Sequence, residues 1–181
     1  MTIESIIKGC QAGDSEARRE LYQRYGATMF ALVRRYVKVR ATAEDVFHDG
    51  FVALYTKIGD YRGEGSFEGW MKRIFVNAAL SHLRTLHPGR TLDDDVGDLP
   101  PGVVDGAPPE ALTRLGNEEL MRLVNELPEG FRTVLMLHAV EGFKHKEIAQ
   151  MLDISEATSR TQYIRARARL AELIEKEEHF Y

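Results

Sequence analysis

The stretch from Lys144 to Leu170, KHKEIAQMLDISEATSRTQYIRARARL, reads as a short helix, a tight turn and a longer second helix. Ile148, Ala149 and Leu152 fall at helical spacing and give the first helix an apolar side. Ala149 is small enough to let a second helix cross closely. Asp153 falls at the turn, where an Asp tolerates left-handed backbone better than most residues. Ser155 is a suitable N-cap, because its hydroxyl can accept an orphan amide hydrogen. Glu156 then sits in the first turn, where the helix dipole favours an acid. On the second helix Tyr163, Ala166, Leu170, Leu173 and Ile174 form a packing side. Arg160, Thr161, Ile164, Arg165, Arg167 and Arg169 lie largely elsewhere. Arg and Thr can donate hydrogen bonds to base edges and phosphates, and Ile164 can touch a thymine methyl. This is the layout of a helix-turn-helix whose second helix enters the major groove. Two packed helices with a solvated basic face are the blander alternative.

The rest of the chain extends this pattern. Its 181 residues suffice for one ordinary domain or two small ones. The net charge of −4 argues against a histone-like protein that coats DNA without specificity. From Thr91 to Thr113 there is no Lys or Arg, while Asp93, Asp94, Asp95, Asp98, Asp105 and Glu110 are acidic. The single cysteine, Cys10, excludes an intramolecular disulfide, and its spacing with Ile3, Ile6 and Ile7 predicts a buried thiol. No apolar run approaches membrane-spanning length and no signal peptide opens the chain, so a cytoplasmic protein without membrane insertion is expected.

Helical periodicity predicts an all-α protein. A short helix ends at Gly13, and Asp14 caps a second from Ser15 to about Val39, with a stripe of Ala17, Leu21, Tyr25, Thr28, Leu32 and Tyr36. Thr42 is expected to cap a third helix, apolar at Phe47, Phe51, Leu54, Tyr55 and Ile58. Its other side carries Asp45, His48 and Asp49. Residues 59–66 are a glycine-rich loop, after which Ser66 caps a helix with Phe67, Trp70, Ile74, Ala78 and Leu83 in step. Residues 89–109 have the composition of an extended or disordered tether, which predicts helical domains at 1–88 and 110–181. In the second of these, Leu112, Leu115, Leu120, Leu123, Val124 and Leu127 precede a break at Leu127-Pro128-Glu129-Gly130. Phe131, Val134, Leu135, His138 and Val140 then make a further helix closed by Gly142.

Two sets of residues together point to one family. The first is Ala43-Glu44-Asp45-Val46-Phe47-His48-Asp49-Gly50-Phe51, then Tyr61-Arg62-Gly63, Phe67, Trp70, Asn77 and Arg84. The second is Leu127-Pro128, Glu141-Gly142, Glu147-Ile148-Ala149, Thr158 and Arg165-Ala166-Arg167. In this order and separation they resemble the two regions of a bacterial RNA polymerase sigma factor of the extracytoplasmic-function group. The resemblance implies a promoter-specificity subunit without catalysis of its own. Its partners would be core RNA polymerase, promoter DNA and an anti-sigma factor. The first domain would recognise and melt the −10 element, and the second would read the −35 element. The helix of Asp45, His48 and Asp49 would bind core polymerase, and its acids suit a basic partner. The family's interdomain segment threads toward the polymerase's RNA channel, which would give Asp93, Asp94 and Asp95 a part in initiation and promoter escape.

Strand opening needs an extruded base to be held in a pocket. Tyr61 and Arg62 on the glycine loop can shape one, and Asn77 can read a base edge or serve as a structural polar residue. Arg62, Lys72, Arg73 and Arg84 can hold phosphates. Phe67 and Trp70 suit either stacking or a core, and helical spacing favours the core for Trp70. In the second domain the resemblance puts Arg160, Thr161, Ile164 and Arg165 in the groove. Ala157 stands where the family usually has Gly. Ser159 stands where it often has Val, so a methyl contact would be lost and the helix slightly reoriented. A stand-alone helix-turn-helix regulator is the alternative function. An enzyme would need a metal beside Glu44 and His48, with His82 as a further donor. No phosphate-binding glycine motif, nucleophile elbow or HExxH supports one, and no cofactor or metal is expected.

Overall fold

The computed structural model describes residues 1–86 and 117–178, and every regular element among them is helical. The chain divides into two units, Met1–Gly89 and Arg90–Tyr181. The acidic tether expected at 89–109, and with it Asp93, Asp94 and Asp95, lies outside the described residues, as do Leu112 and Leu115.

The first unit contains α1 (Ile3–Gln11), α2 (Ser15–Tyr36), α3 (Arg40–Lys57), a 3₁₀ turn (Ile58–Asp60) and α4 (Phe67–Leu86). The cap of α2 is local chemistry: the Asp14 side chain accepts from the Glu16 amide at 2.9 Å. Cys10 is buried, and burial is the main cause of the raised pKa of its thiol. Helix α2 packs against α1, α3 and α4. It stops at Tyr36, before Val39, because Val37 is already extended. The Arg34 guanidinium donates to the carbonyls of Val37 and Lys38 just beyond the end. Its buried stripe takes in Met29 and Val33, whereas Thr28 is exposed and Tyr25 only half-buried.

Helix α3 begins at Arg40 rather than after Thr42, and Val39 precedes it without a side-chain cap. Thr42 therefore lies inside the first turn. The predicted apolar side is otherwise turned inward, with Phe47, Phe51, Leu54 and Ile58 buried and Tyr55 half-buried. The crossing of α3 and α4 is unusually close. A Cβ on Gly50 would lie 2.5 Å from the Phe75 ring, so no other residue fits without movement. Phe47, Phe51 and Phe75 then pack ring to ring, with centroids 5.0–6.1 Å apart. Such aromatic contacts add to the roughly 1.5–3 kcal/mol gained by burying each ring.

In α4 the core side is Phe67, Met71, Phe75, Val76, Ala79 and Leu80. The expected stripe of Trp70, Ile74, Ala78 and Leu83 is half-buried and lies beside it. Two apolar series at four-residue steps run along this helix, and only the tertiary contact decides which faces α2 and α3.

The second unit contains α5 (Asn117–Glu126), α6 (Glu129–Leu135), a π turn (Met136–Val140), α7 (His145–Leu152) and α8 (Glu156–Glu178). Helix α6 starts directly after Pro128, two residues before the expected Phe131, and Gly130 is buried within it. The π turn widens the helix end, with the Glu141 amide donating to the Met136 carbonyl at 3.0 Å. It leaves Val140 about half exposed instead of packed. Helices α5, α6 and α7 all pack on α8. Their shared core holds Leu123, Val134, Leu137, Ile148, Ala166, Leu170 and Ile174.

Candidate nucleic-acid interface

The turn of the helix-turn-helix forms as its residues dictate. Asp153 adopts φ 56° and ψ 47°, and the Ile154 amide donates to the Ala149 carbonyl at 3.1 Å. The Thr158 amide donates to Ser155 Oγ at 2.9 Å, which caps α8. At the start of α7, Glu147 accepts from the Lys144 amide at 2.9 Å. At roughly 100° per residue, Ala157, Thr161, Ile164 and Ala168 lie opposite the buried stripe of α8, with Arg160 and Arg165 flanking them on its two edges. Arg160 is exposed and paired with Glu156 at 2.6 Å, while Thr161 and Ile164 are half-buried. Arg165 is half-buried. Its Nε and Nη1 are shielded from solvent with no hydrogen-bond partner among the described residues. Ser159 is fully buried and hydrogen-bonded to His145 at 2.9 Å, so the position expected only to lose a methyl contact holds a polar joint instead.

In the first unit, Asp45, His48 and Asp49 are all exposed on one side of α3. Val52 is 65% exposed and shares that side, seven residues from Asp45 and four from His48. Residue type alone hid it, since a valine in a helix suggests core; its position relative to the acids could have revealed it. Glu44, once a candidate metal neighbour, is paired with Arg40 at 2.9 Å. Among the described residues no group of three metal-ligating side chains comes together.

The glycine loop is closed by its own side chains. Tyr61 OH donates to the Gly65 carbonyl at 2.9 Å, and Gly63 and Gly65 take positive φ values of 79° and 82° that let the chain fold back. Gln11 of α1 donates to the carbonyls of Ile58 and Tyr61, tying the loop base to the bundle. The Gly69 amide donates to Ser66 Oγ at 3.0 Å, so Ser66 does cap α4. Tyr61, Phe67 and Trp70 form a ring cluster with centroids 5.2–5.7 Å apart. Phe67 is the buried member, beneath Tyr61 and Trp70, which are half-buried. In this arrangement Phe67 supports the other rings, and an open stacking face belongs to them.

Beyond the cluster, Trp70, Arg73, Asn77 and Arg84 recur at three-, four- and seven-residue steps along one side of α4. Asn77 and Arg84 are exposed there and Arg73 is half-buried. Arg62 is exposed on the loop. Lys72 does not join this stripe. It points roughly 160° away from Trp70 and pairs with Glu68 at 3.1 Å. The arrangement thus presents an aromatic cluster continuous with a stripe of hydrogen-bonding and cationic side chains, which suits an unstacked strand.

Residues 21–87 match the family model of sigma-70 region 2, and residues 117–170 match that of sigma-70 region 4. The chain is 31% identical over 178 residues to the ECF RNA polymerase sigma-E factor of Haemophilus influenzae, covering 92% of each. It is 29% identical to the RNA polymerase sigma-H factor of Pseudomonas aeruginosa, covering 91% of this chain and 89% of that one. Among solved structures, the fold is similar to the sigma factor RpoE of Bartonella quintana in complex with the anti-sigma factor NepR. That match has a TM-score of 0.57 at 21% identity, over 87% of this chain and 96% of that one. CnrH, solved in complex with the cytosolic domain of CnrY, gives a TM-score of 0.56 at 23% identity, over 94% and 96%. The chain belongs to the extracytoplasmic-function group of the sigma-70 family of RNA polymerase sigma factors. It is therefore a promoter-specificity subunit for RNA polymerase, and the stand-alone regulator is not favoured.

Proposed function

We propose that the two units divide transcription initiation between them, with residues 1–88 and 110–181 as the working parts. The face of Asp45, His48, Asp49 and Val52 docks on a basic, partly apolar surface of core polymerase. Tyr61, Arg62 and Trp70, supported by Phe67, take an extruded non-template base of the −10 element, and Asn77 reads its edge. Arg73 and Arg84 hold the phosphates that follow, while Lys72 contributes only general positive charge. Arg160, Thr161 and Ile164 read the −35 duplex in the major groove. Arg165 reaches the same DNA from the edge of that face, where a phosphate oxygen would satisfy its shielded nitrogens.

Partner choice follows from the relatives. The RpoE relative was solved with an anti-sigma factor, and the reading here is that this chain is likewise held by one. No helix among the described residues is long and apolar enough to cross a membrane. The site of action is accordingly taken to be the cytoplasm, where polymerase and chromosome are.

The observation that carries this reading is the presence in one chain of an exposed acidic face on α3 and a separate basic face on α8. A self-sufficient DNA-binding regulator needs only the second. Run-off transcription with core polymerase on genomic fragments tests the reading. Discrete start sites that appear only with the chain present are expected. Strong, specific duplex binding by the chain alone, without any change in polymerase start sites, would overturn it.

A further inference from the structure

Two imidazoles meet where the helix-turn-helix joins the rest of its unit. His138 lies on the π turn and His145 is the first residue of α7. Their rings stack with centroids 4.2 Å apart and planes 22° apart. Tyr163 of α8 closes the pair edge-on, at 4.7 Å from His138 and 5.6 Å from His145. His138 Nδ1 is 2.8 Å from the Phe143 carbonyl oxygen. A carbonyl only accepts, so this nitrogen carries a proton and donates. His145 Nδ1 is 2.9 Å from Ser159 Oγ. Ser159 is fully buried and immediately precedes Arg160. The π turn, the entry to α7 and the first turns of α8 are therefore joined through one ring pair.

We propose that His138 and His145 are positioning residues whose stacked pair holds the start of α8 in register for the duplex, and that protonation of His145 releases it. The inference rests on α8 being the duplex-reading helix. A proton added to His145 places positive charge beside the His138 ring and the Arg160 guanidinium, both of which oppose it. Protonation also removes the acceptor capacity of His145, leaving Ser159 only one way to bond.

The surroundings favour the neutral form of His145. Burial lowers the pKa of His145 below its ordinary 6.5, and the charges of His138 and Arg160 lower it further, against the opposing pull of Glu156. The folded value is the lower one, so the unfolded chain takes up protons first. Stability from this group is complete above about pH 6.5 and is lost as pH falls from there through the folded value.

The test uses the full chain with core polymerase, a fluorescent promoter duplex and constant salt, from about pH 8 to about pH 5.5. Wild-type affinity for the upstream element should fall several-fold on acidification. His145→Asn and His138→Gln should bind several-fold more weakly at the higher pH and lose little more below it. Proton NMR of the histidine rings in the full chain should show His145 titrating below 6.5, and closer to that value in His138→Gln. Tighter binding in acid, a flat wild-type profile or an unchanged profile in the variants would overturn the proposal. If His145→Asn does not fold, Ser159→Ala decides: an unchanged affinity and an unchanged His145 titration would also overturn it. A wild-type chain that gives no start-site choice at the higher pH would contradict the functional reading instead. The ring titrations would still judge the pair.

Discussion

The two units handle polar groups in opposite ways. The first surrounds an aromatic core, built on Phe47, Phe51 and Phe75, and carries the side chains proposed for docking and strand capture on outer stripes of α3 and α4. The second threads polar groups through the crossing of its own helices: Ser159 and Gln162 are buried in α8, and His138 and His145 join it to its neighbours. The difference teaches that chemistry and stability are separable in the first unit and entangled in the second. A helix that must present a fixed face to a groove gains orientation from buried hydrogen bonds, because apolar contacts alone are tolerant of rotation.

The sharpest way to strain this contrast is Phe75→Ala. The ring is fully buried against Phe47 and Phe51, so about 3–5 kcal/mol of stability should be lost. Urea unfolding should show the loss in the first unit, while the His138 and His145 ring signals of the second stay unshifted. A smaller effect of opposite character is expected from Arg165→Met. The apolar stem is kept and the guanidinium is removed, two of whose shielded nitrogens have no hydrogen-bond partner among the described residues. Stability should hold or rise by up to about 1 kcal/mol, while promoter use in run-off transcription falls. A large loss of stability would show that the guanidinium has a structural partner.

Asp153→Gly comes next. Its φ of 56° is left-handed, which glycine adopts without a Cβ penalty. Thermal unfolding should show a gain of less than about 1 kcal/mol, with the −35 preference unchanged. The smallest effect is in alkali. Tyr55 donates to the Arg18 carbonyl at 2.9 Å, and burial first, then nearby Cys10, push its pKa up to about 12. The folded value is raised, so this contribution is present below the ordinary 10.0 and lost as pH rises through about 12. Urea midpoints between those limits should fall less for Tyr55→Phe than for the wild type. The first unit would then be sensitive to base where the second is sensitive to acid.

Features decided within a few residues were legible in the chain. The Asp14, Ser66 and Ser155 caps and the left-handed Asp153 follow from local hydrogen bonding and backbone sterics. The buried Cys10 and the outward side of Asp45, His48 and Asp49 follow from helical period. Features decided by tertiary contact were not. Helix α4 has two apolar series, and the choice between Trp70 and Met71 as core belongs to the helices packed on it. The same contact puts Phe67 under Tyr61 and turns Lys72 toward Glu68. The π turn shifts His138 toward Phe143 and His145 in a way no α-helical period predicts. That is why Ser159 reads in sequence as a lost methyl and in the fold as a hydrogen-bonded joint. Val52 was concealed for a simpler reason: an exposed valine on a charged face runs against the binary pattern used to find the core.

The central claim is that docking and promoter anchorage belong to different units. Run-off transcription from one promoter, with the chain titrated into a fixed amount of core polymerase, tests it most directly. A docking defect is a weakened equilibrium, so Asp49→Ala should approach wild-type output once the chain is in excess. A promoter-anchoring defect survives saturation, so Arg160→Ala should level off well below wild type. If both variants recover at high concentration, or both level off low, the two functions do not divide between the units as described.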